Sequence, residues 1–551
     1  MDLLLDLFQA DGALLLILLT VLSCAILLLG LWLRRDRRIE TIPGPRTSPF
    51  IGVGYKLPPK APLLFRQWAQ EYGDVFRIRV GWYNWVVINS PEAVREILEK
   101  QAVKTSSKAP SPMGHDIVTA GKRMPTMEYG PQWRAQRSVV RQVTTVPITA
   151  TFVPSQEFEA KQLLFDLATD NANQRNFYQH MRRYAFSIIM TNTFGTRVKS
   201  WDHPDAQNAV RSQAILRRTS RPGAFLVDEI PPLARLPKWL QPGRKHALAA
   251  AAEVRKIKMG LWYRLEKQFE AGVAPHCFAK AILENKEAWY AQGLNEEDLA
   301  WVAGGLVEAG FETSAATLNS LVLHLAANPR VQQAAHDELD RVVGPNRPPA
   351  FTDLPRLPYL RACVKEMLRM NPILAPGIRH YADQDIVYKN HVIPKGTVLV
   401  ANTAFLHYDP ARFDQPFEFR PERYLNHHLY SSEYAALSDP YKRDHFTFST
   451  GRRTCPGARL AENSLNIALS NMLWAFNIRP PLGQDGVERV MDLSDDAYPD
   501  GGFTIPKPFP ARFVPRSEEM LELVKTQWAV ASREGYELRG VAVDMDGMVQ
   551  E

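Results

Sequence analysis

Cys455 stands in the run FSTGRRTCPGARLAE, Phe448 to Glu462, between a glycine-arginine loop and a Pro-Gly step, with a helical pattern behind it. A thiolate that acts as a ligand needs a fixed sulfur, positive surroundings and backbone donors. Gly451 and Gly457 allow close backbone approach, and Arg452 and Arg453 bring positive charge. The start of the following helix offers free N–H groups and the positive end of its dipole. The same features suit a reactive thiol or a structural cysteine, so the loop alone leaves three readings open. Cys24, Cys277 and Cys363 lie far from it and from one another. No pair has the spacing of a metal clip or redox motif, and each reads as a small buried hydrophobe.

Three further constellations carry candidate chemistry. Ala309-Gly310-Phe311-Glu312-Thr313-Ser314 sits inside an apolar helical stretch that begins near Leu299. Glycine in mid-helix costs up to ~1 kcal/mol. One reading is structural, with the Thr313 hydroxyl on the carbonyl of Ala309 and Glu312 in solvent. The other is a loosened turn that leaves a groove for a small ligand. Glu366-x-x-Arg369 is an i,i+3 ion pair, usually a weak surface contact of ~0.2–0.5 kcal/mol. Here it shares a face with Ala362 and Cys363 while Arg361 and Lys365 take another, which predicts partial burial. Trp133-x-x-x-Arg137 puts an indole N–H and a guanidinium one helical turn apart, either as a stacked surface pair or as two donors for one ligand.

Phe448-x-x-Gly451-x-Arg453-x-Cys455-x-Gly457 resembles the haem-binding loop of the cytochrome P-450 family. That resemblance implies haem b with Cys455 as the axial thiolate and metal ligand. It implies Phe448 packed near the sulfur and Arg453 on a haem propionate. Trp133 and Arg137 match the family's propionate pair. Arg379, in NPILAPGIRHY, matches a further propionate residue, although Ile378 stands where many relatives have proline. Glu312 and Thr313 match the acid-alcohol pair, here Glu rather than Asp: Thr313 would hold the dioxygen while Glu312 and water relay protons. Glu366 and Arg369, completed by Arg423 of Pro421-Glu422-Arg423-Tyr424, match the structural triad that locks the fold around the haem loop. Tyr424 replaces the commoner Phe. His407-Tyr408-Asp409-Pro410 fits the segment upstream, with its histidine structural rather than a ligand.

These residues need elements to hold them. The 551 residues are 45% hydrophobic and 23% charged, the balance of a globular chain with a large core. Ala13 to Leu33 is 21 residues without a charge, eleven of them Leu. As a helix it would be about 31 Å long, against a hydrocarbon core of roughly 30 Å. Asp2 and Asp6 precede it, unlike the basic flank of a signal peptide, and Arg34, Arg35, Arg37 and Arg38 follow it, which puts the C-terminal side in the cytosol. Residues 1–12 are then luminal, 13–33 a transmembrane helix and 34–49 a basic, proline-rich hinge through Ile42-Pro43-Gly44-Pro45. Val75–Val80 and Trp85–Ile88 predict a strand pair around a turn at Gly81–Asn84, and Ser90-Pro91-Glu92 predicts a helix start. From 155 to 340 the pattern is helical, broken at IPPLARLPKWLQPG, and Thr397–Val400 predicts a strand. The expected fold is mainly α with small β-sheets, a cytochrome P-450 fold over 50–515 preceded by one transmembrane helix. Residues 516–551 form a helical, then acidic tail whose role the sequence does not show.

The family resemblance implies a monooxygenase that puts one oxygen atom from O2 into a small apolar substrate. No flavin or nicotinamide fingerprint is present, so electrons must come from outside, and the resemblance implies a membrane NADPH-cytochrome P-450 reductase as the partner. Lys442, Arg443, Arg452, Arg453 and Arg459 cluster around Cys455, and those not on the haem could dock an acidic face of that partner. The net charge of +7 also permits nucleic acid, but no zinc-finger spacing, RNA-binding motif or long basic run supports it. The chain is expected at the endoplasmic reticulum membrane, single-pass, with its catalytic domain cytosolic. The details resemble fungal members of secondary-metabolite biosynthesis. Two rivals are a haem-thiolate isomerase or dehydratase without external electrons, and a haem sensor or carrier without turnover.

Overall fold

The computed structural model describes residues 22–23, 36–48, 52–54, 60–170, 174–375, 377–499 and 503–545. The expected luminal segment and transmembrane helix lie outside these, apart from helical Leu22 and Ser23. Among the described residues no helix is long and apolar enough to cross a membrane.

The elements that position the site are α1 (Ala61–Tyr72), α2 (Pro131–Val143), α3 (Val153–Thr169), α4 (Phe177–Phe194), α5 (Pro204–Ser220), α6 (Arg244–Glu270), α7 (Glu296–Ala327), α8 (Pro358–Met370), α9 (Ala458–Ala475) and α10 (Glu518–Glu534). The long α7 crosses the molecule and packs on α2, α4, α6, α8 and α9. Its start is fixed by a capping box: Asn295 Oδ1 accepts from the Asp298 N–H at 3.0 Å, and Asp298 Oδ2 accepts from the Asn295 N–H at 2.9 Å. Few of its faces are polar because it is buried nearly all round, as an internal helix must be.

The main sheet has the order β1 (Val75–Val80), β2 (Tyr83–Ile88), β4 (Val398–Ala401), β3 (His380–Tyr381). Strands β1 and β2 form a tighter hairpin than the sequence predicts, with Val80 opposite Tyr83 and only Gly81 and Trp82 between. Gly81 has φ +55, which a short hairpin turn demands. Strands β2 and β4 are parallel, and β3 is antiparallel to β4. Ser90 caps the next helix as expected, its Oγ accepting from the Ala93 N–H at 3.1 Å.

The C-terminal segment is folded onto the helices rather than trailing from them. Helix α10 packs on α3 through Phe158 and Trp528, 5.5 Å between ring centroids. The stretch that reads as an acidic tail is a hairpin, β7 (Tyr536–Leu538) with β8 (Val541–Val543); here β5 (Phe476–Arg479) and β6 (Arg512–Pro515) are the pair just before α10. Glu159 of α3 gathers Arg183, Arg197 and Ser187 in the interior, and Arg197 Nη1 donates to the Met545 carbonyl at 2.7 Å.

Candidate functional site

The loop before α9 presents Cys455. Ser449 and Gly451 both take positive φ, +62 and +61, so the chain doubles back. A Cβ on Gly451 would stand 3.0 Å from the Leu98 carbonyl oxygen, which explains the glycine. The Cys455 N–H donates to the Phe448 carbonyl at 2.8 Å and closes the loop. Among the described cysteines Cys277 and Cys363 are buried, and only Cys455 is exposed. The protein around it raises the thiol's pKa, while the Gly457 N–H and the charge of Arg137 act to lower it. A sulfur deep in the protein yet accessible faces an internal cleft, and that separates it from a structural cysteine.

Next to the loop lies a set of donors without an anion. Arg453 spends its guanidinium on three carbonyls, Ser106 at 2.7 Å, Met124 at 3.0 Å and Met127 at 2.6 Å, and stacks 4.3 Å over the Trp133 ring. Trp133 Nε1 is buried with no hydrogen-bond partner among the described residues. Arg137 reaches the Thr454 carbonyl at 2.5 Å. Two residues that the sequence did not point to join them. Lys108 is buried and donates to the Arg379 carbonyl at 2.5 Å. His380 Nδ1 meets the Thr105 carbonyl at 2.9 Å, so that nitrogen carries the proton and Nε2 is left for another partner. Burial pushes the Arg453 pKa down to about 9 and lowers Arg137. Lys108 and His380 are pushed far down by burial and by neighbouring cations. None of these groups ion-pairs with a carboxylate among the described residues. A protein does not desolvate two guanidiniums, a lysine, a histidine and an indole N–H for nothing; a carboxylate among them would restore the charge on Lys108 and His380, and the set fits a ligand with two carboxylates, as haem has.

Arg379 lies at the edge of that set, its charge felt by Lys108. It stands just ahead of β3, and its guanidinium is 3.4 Å from the Ser220 carbonyl and 5.8 Å over the Trp85 ring. The resemblance assigns a propionate role to Arg379; the next residue, His380, is buried against Lys108 and Arg453 and is a further candidate for it.

Helix α7 supplies the opposite wall. It runs unbroken through Gly310, so no loosened turn is present. A Cβ on Gly310 would meet Ile189 Cγ1 at 2.6 Å: the glycine lets α7 approach α4. Ala309 and Thr313, one turn apart, are exposed in a helix otherwise buried. The Thr313 Oγ1 donates to the Ala309 carbonyl at 2.9 Å, as the structural reading expects. Glu312 departs from that reading. It is largely shielded from solvent and pairs with Arg217 of α5 at 2.9 Å.

Behind the loop, Glu366 and Arg369 are both fully buried. Arg369 makes a bidentate pair with Glu366, 2.8 Å at each bond, and Arg423 Nε adds a third at 2.9 Å. The order then passes to the loop. Arg369 Nη1 donates to the His407 carbonyl at 2.6 Å, His407 Nδ1 returns to the Arg369 carbonyl at 2.8 Å, and the Phe446 N–H donates to His407 Nε2 at 2.7 Å. Lys365 is a correction: it is buried too, paired with Asp444 at 2.7 Å in a network with Ser431, Glu462 and His445. Arg443 is another, since it is buried on Glu99 and cannot dock a partner; Lys442 and Arg452 remain exposed.

Burial holds His445 down to about 4 and His407 well below the usual histidine range. Free histidine titrates near 6.5. Between about pH 6.5 and 4 the unfolded chain therefore binds more protons than the folded one, so stability is full above this window and falls as pH falls through it. The thermal midpoint should drop between about pH 7 and 5, and His445→Gln should flatten that drop. An unchanged slope would mean that His445 does not resist protonation in the fold.

The family model for cytochrome P450 matches residues 42–493. The cytochrome P450 monooxygenase pgmC of Aspergillus terreus is 73% identical over 97% of each chain. The cytochrome P450 monooxygenase verL of Clonostachys rogersoniana is 35% identical over 92% of each. A zebrafish cytochrome P450 structure with progesterone superposes with a TM-score of 0.68 at 24% identity, over 82% of this chain and 99% of that one. With a thiol facing an internal cleft and buried cations that lack their anion, the chain belongs to the cytochrome P450 family and is a haem-thiolate monooxygenase.

Proposed function

We propose that the chain oxidises a small, mainly apolar substrate held between Cys455 and the Ala309–Thr313 face of α7, with electrons from an NADPH-cytochrome P-450 reductase, in fungal secondary-metabolite biosynthesis. The observation that carries this is the pairing of an accessible Cys455 with buried, anion-free Arg453, Arg137, Lys108, His380 and Trp133. Bound haem supplies the chemistry, placing one atom of O2 in the substrate and releasing the other as water. Cys455 would hold the iron, Trp133, Arg137, Arg453, His380 and Lys108 the propionates. The exposed Lys442 and Arg452 suit an acidic reductase face.

Thr313 and Glu312 would manage protons. The Thr313 hydroxyl can leave the Ala309 carbonyl by a turn of χ1 and offer its proton to the cleft. Glu312, held by Arg217, would resupply it through water. Thr313→Ala should bind haem and substrate normally but convert less of the NADPH into product, with more released as peroxide. Positioned acid catalysis is worth roughly a hundredfold. Glu312→Gln should slow the same step. The measurement is product per NADPH, with peroxide beside it; unchanged coupling in both variants would reduce the pair to a helix contact.

The same reading places the domain on the cytosolic side of the endoplasmic reticulum, hung from Ala13–Leu33. Trp239, 82% exposed, stands between exposed Leu236 and Leu240 with Arg235, Lys238, Arg244 and Lys245 around it. That mixture suits a lipid interface. The full chain should resist carbonate extraction from membranes, and a chain begun at Ile42 should be released from them far more readily. Free solubility of the full chain would remove the anchor.

A further inference from the structure

We propose that Arg379, with Tyr83 beside it, binds an oxygen acceptor on the substrate, a carbonyl or carboxylate, and so sets which end of an otherwise apolar molecule faces the site. The proposal rests on the reading of the chain as a monooxygenase whose substrate lies over Cys455.

A guanidinium carries five N–H donors. Arg379 uses one of them, in a long bond of 3.4 Å to the Ser220 carbonyl. It makes no ion pair among the described residues. Burial lowers its pKa, and the nearby Glu229, Tyr83 and Asp228 oppose that shift. Neither carboxylate hydrogen-bonds to it. Asp228 accepts from the Met113 N–H at 2.7 Å, Ser111 Oγ at 2.8 Å and the Gly114 N–H at 3.0 Å, and Glu229 accepts from the Gly223 N–H at 2.7 Å. Those bonds tie the 111–114 loop and the 223–229 turn together as a roof over this corner.

A second donor waits at the same place. Tyr83 Oη is buried with no hydrogen-bond partner among the described residues, and its titration feels Arg379, Asp228 and Glu229. Burial and those two carboxylates push its pKa up, so the hydroxyl keeps its proton. A hydroxyl without an acceptor beside a guanidinium with one long bond is costly to bury unless a ligand completes them. The residues leading to Arg379 are apolar and open. Ile378 is 41% exposed, and Phe503, 42% exposed, bridges to Leu374 on the same segment. An apolar wall ending in two donors takes a molecule with an apolar body and one oxygenated end. Few, fixed polar groups in an apolar pocket set orientation.

The test uses full-length holoprotein in detergent, and the haem spectrum reports ligand binding. Naphthalene, 2-acetylnaphthalene and 2-naphthoate share one body and differ in the acceptor. The wild type should bind at least one oxygenated probe on the order of tenfold more tightly than naphthalene, as expected of a hydrogen bond to a charged group. Arg379→Met should erase that preference and leave naphthalene binding unchanged. Arg379→Lys should keep part of a preference for naphthoate. Tyr83→Phe, which removes one hydroxyl, should weaken acetylnaphthalene binding severalfold. The thiolate band of the reduced carbon monoxide complex is recorded for every variant, so failure of the haem-thiolate reading shows separately. Equal affinity for all three probes in the wild type, or a preference that survives Arg379→Met, would overturn the proposal. So would loss of haem in Arg379→Met, which would return the guanidinium to the propionates.

Discussion

Cys455→Ala gives a folded protein that has lost the red-shifted Soret band of thiolate haem and all turnover. The fold survives because the loop is closed by the main chain: the Cys455 N–H keeps its bond to the Phe448 carbonyl whatever the side chain. The signature does not survive, because no other described cysteine can replace the sulfur. Cys277 and Cys363 are buried, and burial drives both thiols well above the usual range, to about 12 for Cys277. Cys455→His keeps a ligand but not a thiolate, and loses the band too. The checks are the difference spectrum of the reduced carbon monoxide complex and far-ultraviolet circular dichroism on the same sample. A thiolate band that outlasts either substitution would move the ligand elsewhere.

Arg369→Leu has the second largest effect, and it falls on stability before chemistry. The substitution leaves Glu366 fully buried with only Arg423 and the Arg420 N–H to hold it. It also removes the donor to His407, whose ring carries the Phe446 N–H at the entrance to the Cys455 loop. Breaking a buried pair by deleting one partner costs about 3–5 kcal/mol. Whole domains are stable by about 5–15 kcal/mol, so much of the margin goes. The expected result is poor haem retention and a much lower thermal midpoint. Arg423→Gln should cost less, because Arg423 is the outer partner and Arg369 remains. If Arg369→Leu holds its haem and its midpoint, the triad is not what braces the loop.

Local chemistry made part of this molecule legible in the sequence. The Cys455 loop, the Glu366–Arg369–Arg423 cluster and the Ser90 cap follow from residue types at short spacing; the strands expected at 75–80, 85–88 and 397–400 are found at 75–80, 83–88 and 398–401. The misread positions share a different cause. Where the Arg379 side chain lies depends on Ser220 and Trp85, and His380 is fixed by pairing with β4 some twenty residues later. Lys365 reads as a surface lysine until Asp444 and Glu462 arrive from distant segments. Gly310 suggests a weak helix turn, whereas its reason is Ile189 on another helix. Lys108 has no signal at all in its own neighbourhood, because the groups it joins come from α2, the Cys455 loop and β3. In each case the deciding partner is remote in the chain, so periodicity could not reveal it.

The Arg197–Met545 contact has a consequence for how the chain comes to its native state. Glu159, Arg183 and Arg197 lie in the first half of the sequence, and the carbonyl that completes them belongs to Met545, the last residue described. Domains fold progressively from the N-terminus during synthesis. Here the helices can gather early, but their charged centre stays incomplete until the segment that carries Met545 has been made. The closing step is thus a long-range search across some 350 residues, the kind of contact that slows folding. A bulky fusion placed directly after residue 551 would burden that step in particular, whereas a long flexible spacer would relieve it.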